Sequence, residues 1–167
     1  AGREISYTDS NPNYQTADGR SFRQVFGDAL PALAIVPGAG SPEDYSRVDV
    51  RGKLVLIQRG TLSFTEKINN AHAAGASGVI VYNNTDEDAQ SIGMDLTGAL
   101  LPAVLISADD GDFLLSHAQE KLCFRQTAGE KEGTILVVLP KKASFCQMPV
   151  RSKLGVYSSL ALLFCCI

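Results

Sequence analysis

The stretch from Gly52 to Tyr82 constrains the fold most. It holds two short apolar runs, LVLIQ at Leu54–Gln58 and GVIVY at Gly78–Tyr82, on either side of a helix signal. Both runs are rich in Val, Ile or Leu, and the first is bounded by Gly52 and Gly60, the pattern of buried strands. Between them, Ser63-Phe64-Thr65-Glu66 fits a capping box: the Ser side chain accepts from the N–H of Glu66, and the Glu side chain reaches back to the Ser N–H. Phe64, Ile68, Ala71 and Ala74 or Gly75 recur at helical spacing and predict one apolar stripe over about three turns. Gly75 is a natural stop, because glycine enters the left-handed conformation without a Cβ clash. A strand, a helix and a strand joined by short loops form a βαβ unit, with the two strands parallel and neighbouring.

The remaining signals extend the unit. Ala32–Val36 reads as a strand that stops at Pro37-Gly38, and a loop runs from there to Gly52. Residues 83–99 are a polar, acidic loop. Pro102 then introduces AVLIS at Ala103–Ser107, a third short strand of the same kind. Ser107 with Asp110 offers a second helix cap, and Phe113, Leu114 and Ala118 give that helix an inward face, although Gly111 weakens it. Thr134–Leu139 is a final strand, ended by Pro140. Residues 1–30 are polar, with Tyr7, Tyr14, Phe22 and Phe26 scattered through them, and predict irregular chain with one or two short edge strands. Strands alternating with two helices define an α/β domain.

At 167 residues, 45% of them hydrophobic, the chain has one domain's worth of core. Its 15 Lys and Arg against 18 Asp and Glu give a net charge of -3, so no basic surplus pulls on a phosphate backbone and a nucleic-acid partner is not expected. No membrane span is expected either: the longest apolar run, Leu154–Ile167, is interrupted by Ser158 and Ser159 and falls short of the roughly 18–20 residues needed. The opening AGREISY lacks Met and reads as an excised or processed piece. The four cysteines, Cys123, Cys146, Cys165 and Cys166, show no C-x-x-C spacing, which leaves a zinc site without support. Three of them fall in residues 143–167, an unpatterned apolar tail. It is either an element packed on the domain or sequence foreign to it, and the foreign reading is preferred.

Catalytic and metal-binding signals are sparse. His72 and His117 fall inside predicted helices without a metal-ligand companion, and no G-x-S-x-G elbow is present, so both read as surface or helix-packing residues. GAG at Gly38–Gly40 follows a strand but continues into Pro42-Glu43 and fails as a dinucleotide fingerprint. Asp86-Glu87-Asp88, with Asp95 nearby, invites a hard cation, yet the spacing fits no EF-hand and a solvated loop is the simpler reading. No cofactor and no metal are expected. Asn83-Asn84-Thr85 is a formal glycosylation acceptor.

The run GKLVLIQRGTLSFTEKINNAHAAGASGVIVYNN at Gly52–Asn84, followed by LPAVLISADDGDFL at Leu101–Leu114, resembles a protease-associated (PA) domain. Matching positions include Gly52, Lys53, Arg59, Gly60, Ser63, Phe64, Lys67, Ala71, Gly75, Gly78, Asn83, Asn84, Pro102 and Ile106. Its wording is most similar to the PA insert of bacterial cell-envelope subtilisin-like serine proteinases. The resemblance implies a small open β-sheet or barrel, partly parallel, with two flanking helices. It places the PA domain at 31–142, after an irregular lead-in at 1–30 from the parent chain and before the tail at 143–167. It also implies a non-catalytic interaction module that restricts or positions protein substrates for an attached peptidase, located outside the cell or in its envelope. The subtilase signatures for all three triad members are missing from the chain, so no enzyme activity of its own is expected. The alternative is a stand-alone cargo- or ligand-binding protein of the sorting-receptor type.

Arg59, Gly60, Ser63 and Phe64 are the candidate peptide- or partner-binding residues. Arg59-Gly60 ends a strand just before a helix N-terminus, where free N–H groups favour an anionic or carbonyl partner and Gly60 lets another backbone approach. Two readings stand: partner contact, or an Arg59 ion pair with a loop carboxylate beside a Gly60 turn. Phe64 and Pro102 are read as packing and turn residues in preference to peptide contacts.

Overall fold

The computed structural model describes residues 2–7, 19–27, 29–118, 123–126 and 134–138. The strands are β1 (Gly2–Ser6), β2 (Leu33–Ile35), β3 (Leu54–Gln58), β4 (Gly78–Tyr82), β5 (Ala103–Ile106), β6 (Cys123–Gln126) and β7 (Thr134–Val138). The helices are α1 (Phe22–Phe26), α2 (Phe64–Ala73) and α3 (Ala108–Ser116), with 3-10 turns at Pro42–Tyr45 and Ala89–Ser91. β2-β3-β4-β5 make a parallel sheet in chain order, and β1-β7-β6 make a smaller antiparallel one. The fold is α/β with an open, partly parallel sheet system, as expected.

The apolar strands are explained by burial on both faces. Successive side chains alternate. Val55, Ile57, Val79, Val81, Ala103 and Leu105 point into a core closed by Ile68 and Ala71 of α2, Tyr45 and the 89–101 loop. Leu54, Leu56, Ile80, Val104 and Ile106 point the other way, onto Phe22, Leu114, Ile5 and Tyr7. Register is fixed across the row Gln58–Tyr82–Ile106, the last residues of β3, β4 and β5. The chain leaves all three strands at this carboxyl end.

Three helices flank the sheet rather than two. The additional one, α1, lies in the 1–30 segment, where Ser21 forms a reciprocal cap with Gln24 and buries Phe22 to 1% exposure. That segment also supplies β1, one of the edge strands expected there. α2 starts on the predicted capping box and ends at Ala73, one residue before its Ala74 cap and two before Gly75. Gly111 is a packing requirement: a Cβ there would lie 2.5 Å from the Tyr82 Cβ. Leu114 is buried and Phe113 half-buried, but Ala118 is exposed beyond the end of α3, so it is not part of the inward face. Tyr14, Pro140 and the tail at 143–167 lie outside the described residues.

Candidate functional site

An open cleft of about 600 Å³ lies at the carboxyl end of β3 and β4, lined by Arg59, Gly60, Thr61, Leu62, Ser63, Phe64, Asn84, Thr85 and Glu87. All four candidates, Arg59, Gly60, Ser63 and Phe64, line it. The crevice beyond the carboxyl ends of parallel strands is where α/β sheets commonly take ligands.

Each wall has a local cause. The chain leaves β3 through Gly60, whose φ of 149° disfavours a side chain, and doubles back in an antiparallel bridge between Gly60 and Leu62. Ser63 then starts α2: its Oγ accepts from the Glu66 N–H at 3.2 Å, while the Ser63 N–H donates to Glu66 Oε2 at 2.9 Å. The Ser63 hydroxyl also donates to Glu66 Oε2 at 2.7 Å, and this bond first, with the one from the Ser63 N–H, holds the Glu66 carboxyl below the ordinary carboxylate range. Phe64 is half-buried against the core and still reaches the cleft.

The opposite wall hangs on Asn83, a polar side chain only 1% exposed. Its Oδ1 accepts from Arg59 Nη1 at 3.0 Å and from the Asn84 N–H at 2.9 Å. Its Nδ2 donates to the Glu87 carbonyl at 2.9 Å and to Thr85 Oγ1 at 3.3 Å. Arg59 also pairs with Glu87 Oε2 at 3.7 Å, and its own N–H donates to the Tyr82 carbonyl at 2.8 Å. The guanidinium thus braces the 83–87 turn while 31% of its side chain stays exposed toward the cleft. The loop-carboxylate pairing of Arg59 is present, and part of its side chain remains exposed.

Asn83 and Glu87 were visible in the sequence only as parts of other motifs. Of the glycosylation triplet, Asn84 and Thr85 are exposed, but the acceptor Asn83 is buried with its side-chain amide engaged in the turn. Glu87 and its acidic neighbours are exposed, and among the described residues no group of three His, Cys, Asp or Glu is placed to hold a metal ion. Pro102 is buried beneath β5, its carbonyl accepting from the Val79 N–H, and lies away from the cleft. His72 is exposed on α2, and His117 stacks on Phe113 with ring centroids 4.3 Å apart. Gly38–Gly40 form a turn whose Gly40 and Ser41 N–H groups donate to Asp44 Oδ2 at 2.9 and 2.8 Å.

The parallel sheet, its two-sided core and the cleft at its carboxyl end define a small α/β domain. A profile of the PA domain family matches residues 24–114, more than half of the chain, and the chain belongs to that family. Over 99 residues it is 32% identical to the minor extracellular protease Vpr of Bacillus subtilis, covering 58% of this chain and 12% of that protein. Over 89 residues it is 40% identical to a C5a peptidase of Streptococcus pyogenes, covering 53% of this chain and 7% of that one. Over 144 residues it is 34% identical to aminopeptidase YwaD of Bacillus subtilis, covering 85% of this chain and 29% of that protein. Among solved structures, a zinc aminopeptidase from Bacillus subtilis superposes with a TM-score of 0.52 at 26% identity, over 84% of this chain and 29% of that one. The chain therefore spans less than a third of each relative.

Proposed function

We propose that the chain is the non-catalytic interaction module of an extracellular peptidase and positions protein substrates through the cleft at Arg59–Phe64. The observation that carries this reading is the convergence of Arg59, Gly60, Ser63 and Phe64 on one open cleft in a family member whose relatives are peptidases. The cleft mixes apolar wall (Leu62, Phe64) with hydrogen-bonding groups, which suits an extended polypeptide better than a small apolar ligand. A subtilisin-like serine peptidase is the host that the sequence wording favours. A zinc aminopeptidase host is the second reading, favoured because that alignment runs over 144 residues rather than 89 or 99.

The test uses the 167-residue chain with fluorescently labelled, unfolded casein. The chain should hydrolyse nothing, leave its serines unlabelled by an active-site serine probe, and bind casein with Kd in the range of weak, transient contacts. Leu62→Asp should weaken that binding about tenfold, equivalent to about 1.4 kcal/mol, with an unchanged circular dichroism spectrum. Hydrolysis, or binding that ignores Leu62→Asp, would overturn the reading.

A further inference from the structure

Arg59 holds most of the unspent bonding capacity in the cleft. Its guanidinium makes one hydrogen bond of ordinary length, from Nη1 to Asn83 Oδ1 at 3.0 Å. Its contact with Glu87 Oε2, at 3.7 Å, is an ion pair too long for a hydrogen bond. Nε and Nη2 have no acceptor among the described residues. The group is nevertheless anchored. Asn83 is 1% exposed and spends both ends of its amide on the 83–87 turn, so the oxygen that holds Nη1 is itself fixed. A planar fork anchored on one prong, with donors to spare, suits a two-oxygen anionic acceptor better than a lone carbonyl.

Glu87 stands at the edge of that position. Asn83 Nδ2 pins its main-chain carbonyl at 2.9 Å and so tethers its side chain beside Arg59, yet that side chain is 57% exposed. An exposed pair at this distance holds weakly and can be displaced. The nearby Glu66 does not compete, because its Oε2 is taken by the Ser63 N–H and hydroxyl. Asp86 and Asp88 are exposed on the same turn. Their repulsion acts through solvent and is screened beyond about 8 Å at physiological salt, whereas the Arg59 donors act at contact.

We infer that the cleft selects polypeptide segments bearing an acidic side chain, whose carboxylate binds Arg59 in place of Glu87, so that Glu87 is an internal competitor for the site. This rests on the proposed function and names the substrate class for the same cleft. The carboxylate is assigned to a side chain because a protein substrate presents such groups along its length but only one at its terminus.

Magnetic resonance titration of the isotope-labelled 167-residue chain tests this with alanine-serine decapeptides. One carries a central Glu and blocked ends, one a central Gln and blocked ends, and one the central Gln with a free C-terminal carboxylate. The Glu peptide should bind about fivefold tighter than either Gln peptide, since a charge-assisted bond is the stronger one. Arg59→Gln should abolish that preference. Glu87→Gln, a change at an exposed side chain that keeps its pinned carbonyl, should tighten the Glu peptide about threefold and leave the blocked Gln peptide unchanged. Asp86→Asn removes the same charge one residue away and should change neither by as much as twofold. Equal affinity of the two blocked peptides, no binding of either, or a Glu87→Gln effect no larger than that of Asp86→Asn would overturn the inference. Tighter binding of the free-terminus peptide than of the Glu peptide would overturn the side-chain assignment. In each case casein binding that is weakened by Leu62→Asp would leave the substrate-positioning reading standing, and its loss would remove both.

Discussion

Lys67 carries the one charge that is fully buried among the described residues, and the fold has given it a single task. Its Nζ donates to the Ala39 carbonyl, which fastens the Gly38–Tyr45 turn to α2, and Asn70 Nδ2 supports it from the next turn, donating to the Gly40 carbonyl at 3.0 Å. Burial lowers the Lys67 pKa, against an opposing pull from Asp44. Lys67→Met keeps the volume and removes the donor, leaving the Ala39 carbonyl without this bond, so it should cost about 1.5–3 kcal/mol in urea unfolding. Tyr45 predicts the reverse. Its hydroxyl is buried with no hydrogen-bond partner among the described residues, and burial raises its pKa. Tyr45→Phe should therefore leave stability unchanged or raise it by about 1 kcal/mol, because it removes an unsatisfied polar group without opening a cavity. A clear loss in the same unfolding experiment would count against that account. Tyr45 does not announce itself in the sequence, and Lys67 does so only as a matched family position: by pattern it sits beside Ile68 in a polar face, and the approach of the 38–45 turn makes it interior.

At the scale of elements, α2 depends most on its first turn. Ser63→Ala should cost about 1 kcal/mol, since it removes the acceptor for the Glu66 N–H. A pH series gives a second readout. Glu66 is held below the ordinary carboxylate range in the fold, mainly by Ser63, so its contribution is complete above that range and disappears as pH falls through it. Ser63→Ala removes the side-chain part of that hold, so the variant should lose less stability than the parent on acidification from neutral pH, and the two melting curves should converge. This element was legible because the capping box and the apolar stripe are local. β3, β4 and β5 were legible for a related reason: strands covered on both faces must be apolar throughout. The same logic explains why α1 and β6 were missed and why β1 was expected only as an unplaced edge strand. α1 is a single turn in which Arg23 and Gln24 separate Phe22 from Val25 and Phe26, too short for a period to show. β1 (GREIS) and β6 (CFRQ) carry charged residues and belong to the small antiparallel sheet, so their pairing comes from β7, more than a hundred residues from β1. The candidate cleft residues were visible because they lie in one continuous stretch from Arg59 to Phe64. The wall opposite, Asn83–Glu87, joins them only through the side-by-side register of β3 and β4.

At the scale of the whole molecule, the two sheets are coupled through Arg3. Its guanidinium binds two carboxylates at the start of α3 and lies over Phe113, while Ile5, two residues further along the strand, is 1% exposed in the core on that face. A lysine in its place keeps the charge but loses the planar fork and the stacking, so the two should not be interchangeable. Arg3→Lys is expected to cost about 1 kcal/mol, roughly a fivefold rise in the open population of the β1–β7 pair. Native-state hydrogen exchange locates the effect. Amides of β1 and β7 should exchange about fivefold faster, while those of β3, β4 and β5, held in the doubly covered sheet, should keep their protection. The exposed Arg3–Asp109 contact should weaken further in high salt, whereas the better-buried Asp110 contact should persist. Uniform acceleration across both sheets would mean that the molecule opens as one cooperative unit and that Arg3 supports global stability. Acceleration confined to β1 and β7 would identify Arg3 as the fastener of the small antiparallel sheet to α3.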